Sequence, residues 1–342
     1  MLPTVLNLVT CALATLSSPV HGLLHDRHSK LPLPARIVYR FPNRTWIENI
    51  AVRPNGDLLL TTLLPNASLY TLEDPQSPRA RPRLLHTFDV DSLLGIAESR
   101  PDKFVVVGGD FSSRAVGVPG TFAAWTVDFG SQLGSHPRIR KAANIREAVF
   151  LNGVTELPGC GEVLIADSAL GRAWRLDVET GKYTVGIQVP EMAPVPDAPL
   201  KIGINGIHFF KGFVYWTNSF EATLYRIKVG YNGHPTPGSG VEKVAKVDVA
   251  FLDDFTFDYN ATAWATTHLD NKLVAIKPNG AAVVVEGSAQ ELTVAGDTAC
   301  HFGRTEKDRK VLYIVTDGGI ASPVNGTMVE GGKVVAVDTS GF

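Results

Sequence analysis

Short, strongly apolar runs recur along the chain, and each ends at a small or polar step. They read LLLTT (58–62), FVVVGG (104–109), EVLIAD (162–167), FVYWTN (213–218), TAWATT (262–267) and VLYIVT (311–316). Continuous apolar runs of this length, bounded by turn signals, predict buried strands rather than helices. Ahead of each lies another short segment and a turn, with chemistry such as Pro-Asn-Gly-Asp, Pro-Gly-Cys-Gly or Lys-Gly. After each comes a segment of alternating apolar and polar positions, as in SLYTLE (68–73) and AWRLDV (173–178), which predicts a strand with two unlike faces.

The unit repeats. Aligning the copies on their first strand places residues 48, 94, 152, 205, 253 and 300 at equivalent positions, with gaps of 46, 58, 53, 48 and 47 residues. Six units at this period predict an all-β fold, a six-bladed β-propeller with four antiparallel strands per blade. A pair of β-sandwiches fits six equal periods poorly. The segment ARIVYRF (35–41) precedes the first unit. It is expected to pair as the outermost strand of the last blade and close the ring, which protects open sheet edges. Residues 23–342 are then one propeller domain.

Residues 1–22 read differently. They are apolar from position 5 to 16 and then turn small, with Val20 and Gly22 before the expected cleavage point, although the leading residues hold no Lys or Arg. This predicts a signal peptide and a protein of the secretory pathway or a secreted one. No other run approaches the ~20 apolar residues of a membrane span. Four Asn-X-Ser/Thr triplets, at Asn43, Asn66, Asn260 and Asn325, are candidate glycosylation sites on that route. The net charge is −2, with 32 basic and 34 acidic residues spread along the chain, so no footprint for nucleic acid appears. Beyond Cys11 the cysteines are Cys160 and Cys300. In the propeller they fall on opposite faces and across the ring, so both are expected as free thiols. Nothing in the sequence sets an oligomeric state.

First strands of propeller blades line the axis, so the six equivalent residues converge: Glu48, Leu94, Asn152, Asn205, Asp253 and Cys300. Four of them are oxygen donors. Two carboxylates at one axis repel, and need a proton, a basic partner or a cation. Glu48, Asn152, Asn205 and Asp253 are a chemically sensible set for Ca²⁺. They are equally able to hydrogen-bond one another and the inner backbone with no metal. Loops after the second strands add Asp110, Phe111, Asp167, Ser168, Asn218, Phe220, His268 and Asp317, with Tyr215 and Trp216 just below. Apolar walls with a few polar groups suit a small-molecule substrate. Within this set Lys201, Asn205 and His268 are the candidate catalytic donors. Phe111, Asn152, Trp216, Asn218, Phe220 and Cys300 are the candidate substrate-binding residues. His301, by alternation, is expected to point away from Cys300 and pack between blades.

The period, the repeated Asn-Gly at 152–153 and 205–206 and the ring of Glu48, Asn152, Asn205 and Asp253 resemble gluconolactonase/regucalcin-like (strictosidine-synthase-like) propellers and the diisopropylfluorophosphatase type. That resemblance implies a catalytic Ca²⁺ held by those four residues. Departures are the Asn49-Ile50 continuation after Glu48 and the lack of a polar residue at Leu94 and Cys300. Stretches such as FPNRTWIENIAVRPNGDLLLTT, FLNGVTELPG, INGIHFF and CHFGRTEKDRKVLYIVTDGG further resemble secreted fungal propellers of secondary-metabolite clusters. Hetero-Diels–Alderases of tropolonic sesquiterpene pathways belong to that group. This second resemblance implies an enzyme joining an o-quinone-methide tropolone to a humulene-type olefin, a cycloaddition that requires no cofactor. Three functions follow, in order: the pericyclase, a Ca²⁺-dependent lactonase or organophosphate hydrolase, and a non-catalytic ligand-binding propeller.

Overall fold

The apolar runs become the second strands of six four-stranded antiparallel sheets. The computed structural model describes residues 30–112, 116–130, 136–159 and 161–342. The expected signal peptide and Cys160 lie outside the described residues. The innermost strands are Trp46–Val52, Ser92–Arg100, Leu151–Leu157, Ile204–Phe210, Phe255–Phe257 and Asp297–Phe302. The runs follow as Leu58–Leu64, Lys103–Gly109, Glu162–Asp167, Phe213–Asn218, Ala263–Thr266 and Val311–Thr316. Ala35–Arg40 pairs antiparallel with Lys333–Asp338 as the outer strand of blade six, so the ring closes as the sequence predicts. Blade two carries an additional hairpin, Phe111–Ser112 with Val116–Gly117. Among the described residues no helix is long and apolar enough to cross a membrane.

Each sheet buries both faces against its neighbours, which explains why the second strands are apolar throughout rather than alternating. Leu58, Leu60, Tyr313 and Val315 fill the space between blades six and one, and Leu164, Ile204, Trp216 and Tyr225 that between three and four. Threonines near the ends of the second strands lace each blade to the next. Thr61 Oγ1 donates to the Leu94 carbonyl (2.6 Å), Thr217 to Asp253 (2.6 Å) and Thr266 to Thr298 (2.9 Å). Each lace satisfies an inner carbonyl that has lost its sheet partner near the axis.

The glycines of the two Asn-Gly pairs mark where inner strands crowd. A Cβ on Gly153 would lie 2.6 Å from the Asn205 carbonyl oxygen, and one on Gly206 would lie 2.4 Å from Asp254 Oδ1. Asp254 fills the space that Gly206 vacates. It accepts from Asn49 Nδ2 (2.9 Å) and its own neighbour's N–H at Phe255 (2.8 Å), and lies 3.1 Å from His208 Nε2. This carboxylate plugs the axis and ties blades one, four and five together. Asp253, one residue earlier, alternates to the other end. The plug therefore separates two cavities, one at the mouth and one below.

Candidate active site

The mouth cavity measures about 590 Å³, inside the range of small-molecule sites. Its polar floor is Glu48, Asn152, Asn205, Asp253 and His268, all buried. Its walls are mainly aromatic and aliphatic (Trp46, Leu63, Leu64, Pro65, Phe111, Phe150, Leu200, Ile202, Phe220, Phe251 and Leu269), with Asp91, Ser92 and Ser112 adding polar groups from blade two. Phe111 meets Phe150 edge to face at 4.9 Å, and Phe220 meets Phe251 at 5.0 Å. Such pairs hold the walls at fixed angles.

His268 organises the floor. It takes a left-handed backbone conformation (φ 51°) at the head of a single turn, His268–Asp270. Asp297 holds that turn by accepting the N–H groups of Thr267 and His268, each at 3.1 Å. The imidazole lies between two carboxylates, with Nε2 3.2 Å from Asp317 Oδ2 and Nδ1 3.4 Å from Asp253 Oδ2. Trp46 meets it edge to face at 5.1 Å and Phe251 at 5.7 Å. Burial alone would depress the imidazole pKa, but the Asp317 hydrogen bond and charge, with Asp253 and Glu48 behind them, raise it to about 9. His268 is thus an imidazolium at neutral pH, with both N–H groups facing carboxylates. Burial pushes Glu48 up to about 7, opposed by the His268 charge and by the Trp46 indole, whose N–H donates to Glu48 Oε2 at 2.5 Å. Burial also raises Asp253 well above the usual carboxylate range.

The two amides differ in what they have left to give. An asparagine carries two N–H donors. Asn205 uses them on Ser219 Oγ (2.9 Å) and Asp253 Oδ1 (2.7 Å). Asn152 makes one long bond, to Ser168 Oγ (3.3 Å), and keeps a donor free of partners among the described residues. Asn152 is therefore the floor's available hydrogen-bond donor.

The ring does not fit a shared cation as arranged. Asn205 turns its N–H₂ group toward Asp253, and the other Asp253 oxygen faces the His268 ring. Among the described residues no group of three or more His, Cys, Asp or Glu side chains is spaced to hold a metal ion.

The other expected site residues separate. Phe111 and Phe220 line the cavity with Asn152. Lys201 is exposed and stands outside the lining, between two neighbours, Leu200 and Ile202, that belong to it. Cys300 is a free, buried thiol that lines the lower cavity with His301. The blade-six partner of Asp253 is Thr298, whose carbonyl accepts the lace from Thr266 and the N–H of Asp254. Cys300 lies two residues further down the strand, roughly 6–7 Å lower. Trp216 is fully buried between blades, with its indole N–H on the Glu191 carbonyl (3.2 Å).

Residues expected to line the mouth from the ends of the second strands instead pin its loops. Asp167 accepts the N–H groups of Val149 and Phe150, each at 3.1 Å. Asp317 accepts those of Gly319 (2.6 Å), Ile320 (3.1 Å) and Ala321 (2.9 Å). Asn218 Nδ2 donates to the carbonyls of Glu191 (3.1 Å) and Ala193 (2.8 Å). It thereby anchors the segment that goes on to present Leu200 and Ile202. Asn218→Ala is expected to leave the Ala193 carbonyl unpaired and the Glu191 carbonyl with the Trp216 indole alone, at about 1–3 kcal/mol of stability. A thermal melt should show the loss, and KM for a substrate held by that wall should rise more than kcat falls.

No family model matches the chain. Two fungal relatives bear the name hetero-Diels–Alderase. The protein of Sarocladium schorii is 34% identical over 343 aligned residues, covering 91% of this chain and 85% of the relative. That of a Phoma species is 35% identical, covering 88% and 90%. Solved structures of the same shape include a calcium-binding regucalcin of Agrobacterium tumefaciens (15% identity, 90% and 94% coverage, TM-score 0.61). A luciferin-regenerating enzyme is similar to the same degree (12% identity, 90% and 95% coverage, TM-score 0.61).

Proposed function

The chain belongs to the family of these fungal hetero-Diels–Alderases, and from that membership we propose that its mouth cavity catalyses a hetero-Diels–Alder cycloaddition. The observation that supports this most is the contrast within the cavity. Aromatic and aliphatic walls enclose a floor whose imidazole is committed to two carboxylates, with one amide donor spare. A hydrolase needs an activated nucleophile. A cycloaddition does not. A C=C–C=O heterodiene and an olefin exchange six π electrons, form one C–C and one C–O bond, shift the remaining double bond, and release nothing.

The residues then divide the work. The walls bury both partners and hold the reacting atoms in register, which lowers the barrier by several kcal/mol through orientation alone. The free Asn152 N–H binds the carbonyl oxygen of the heterodiene, drawing electron density from it as the C–O bond forms. His268, Asp253 and Asp317 fix the floor and keep its charges balanced. For the partners we propose an o-quinone-methide tropolone, whose oxygens suit the amide end, and a humulene-type sesquiterpene, whose hydrocarbon ring suits the aromatic walls. No step passes through a cation.

The test is direct. The protein with a quinone-methide precursor and a humulene-type olefin should give one adduct stereoisomer faster than buffer does, at the same rate with EDTA present. Racemic adduct at the buffer rate would sink the proposal. Lactone or phosphotriester hydrolysis that stops on chelation would instead assign Glu48, Asn152, Asn205 and Asp253 to a bound cation.

A further inference from the structure

The four Asn-X-Ser/Thr triplets fall unevenly on this fold. Asn43 lies in a turn where the Thr45 N–H donates to the Pro42 carbonyl (3.2 Å), in the connection leading to Trp46–Val52. Asn66 follows Pro65, a lining residue, directly after Leu58–Leu64. Asn325 (φ 52°) and Gly326 form the tip of the turn linking Val324 to Met328, after Val311–Thr316. Connections into first strands and out of second strands all run at the mouth end. All three side chains are exposed. Asn260 is exposed as well, but its turn joins Phe255–Phe257 to Ala263–Thr266 at the opposite end.

The three mouth-end sites belong to two adjacent blades. Arg40 pairs with Glu330 at 3.0 Å, and the Phe41 and Gly332 backbones bond, so the loop bearing Asn43 packs on the connection bearing Asn325. The same rim exposes large apolar side chains. Leu64 is 37% exposed, Met328 39% and Val329 43%, each within four residues of Asn66 or Asn325. Leu64 also lines the mouth cavity, so apolar surface runs out from the cavity onto this rim.

We propose that Asn43, Asn66 and Asn325 carry N-linked glycans that form a collar over the blade-one and blade-six side of the mouth. The glycans are bulky and water-loving, so they cover this apolar rim and confine approach to the side of blades two to five. The modification places the folding chain in the secretory pathway, in keeping with the apolar segment at residues 5–16.

The full chain, secreted from a yeast or filamentous-fungal host, tests this by deglycosylation with peptide:N-glycosidase in heavy-oxygen water and peptide mass spectrometry. Heavy-oxygen aspartate at all of 43, 66 and 325 is the expected result, and unlabelled asparagine at any of them overturns the collar. Each Asn→Gln change should remove one glycan mass. The N66Q/N325Q pair should bind an apolar dye a few-fold more strongly with turnover unchanged, and unchanged dye binding refutes the covering role.

Discussion

Replacing His268 by alanine is expected to destabilise the protein by about 3–5 kcal/mol, the usual cost of leaving a buried charge without its partner. Asp317 is fully buried and Asp253 nearly so, and both face the imidazole. A thermal melt should move down by about 10 °C. Asp317→Asn should cost less on the His268→Ala background than in the parent, because it removes one of the charges that the first change exposed and leaves mainly the lost acceptor for a loop N–H such as Ala321. If His268→Ala melted like the parent, the imidazole would not be the floor's counter-charge. The same network sets a pH dependence. His268 is raised from 6.5 to about 9, so its contribution is complete below pH 6.5 and disappears as pH rises through 9. Glu48 is raised from 4.5 to about 7, so the native state also retains that proton where the unfolded chain has lost it. Both effects run the same way, and stability should fall as pH climbs from about 4.5 to 9. In the His268→Ala protein the imidazole's part of that slope should be lost, while Glu48, no longer opposed by the imidazolium charge, keeps its proton to higher pH than in the parent.

Asn152→Ala should lower kcat for cycloaddition by about 10²–10³-fold, the typical effect of removing one donor aimed at developing negative charge. Asn152→Asp should be as slow, since it keeps the shape and loses the N–H. Asn205→Ala is expected to act differently. Its donors serve Ser219 and Asp253, so its loss should appear first as a lower melting temperature. Measured kcat and melting curves for the three variants separate a donor to substrate from a donor to the fold. Equal kcat in Asn152→Ala and the parent would remove Asn152 from the reaction.

The architecture was legible because burial on both faces writes itself as continuous apolar runs, and six such runs at one spacing leave few alternatives. Ring closure by Ala35–Arg40 followed from the same logic. The ring residues Glu48, Asn152, Asn205 and Asp253 were also legible, since position in a repeat is position around the axis. The lining was harder. Trp46, Phe150 and Phe251 each precede a ring residue by two positions, and alternation turns them the same way. That spacing was present in the sequence but weighs little without the fold. Asn218 and Asp317 were legible as polar residues at the mouth but not as loop anchors, because nothing local says which backbone N–H or carbonyl will lack a partner. The exchange of Cys300 for Thr298 has a similar origin. The apolar run fixes a blade's place in the ring, whereas height along its inner strand depends on contacts with the next blade.

The Asp254 plug has a consequence for traffic. Asn49, His208 and Gly206 close around it, so the mouth cavity ends blind at the axis. In the proposed cycloaddition, two molecules that enter through the mouth separately must leave by it as one, larger than either. Water displaced on filling has the same single way out. Departure of the adduct through that mouth is then a step of every turnover.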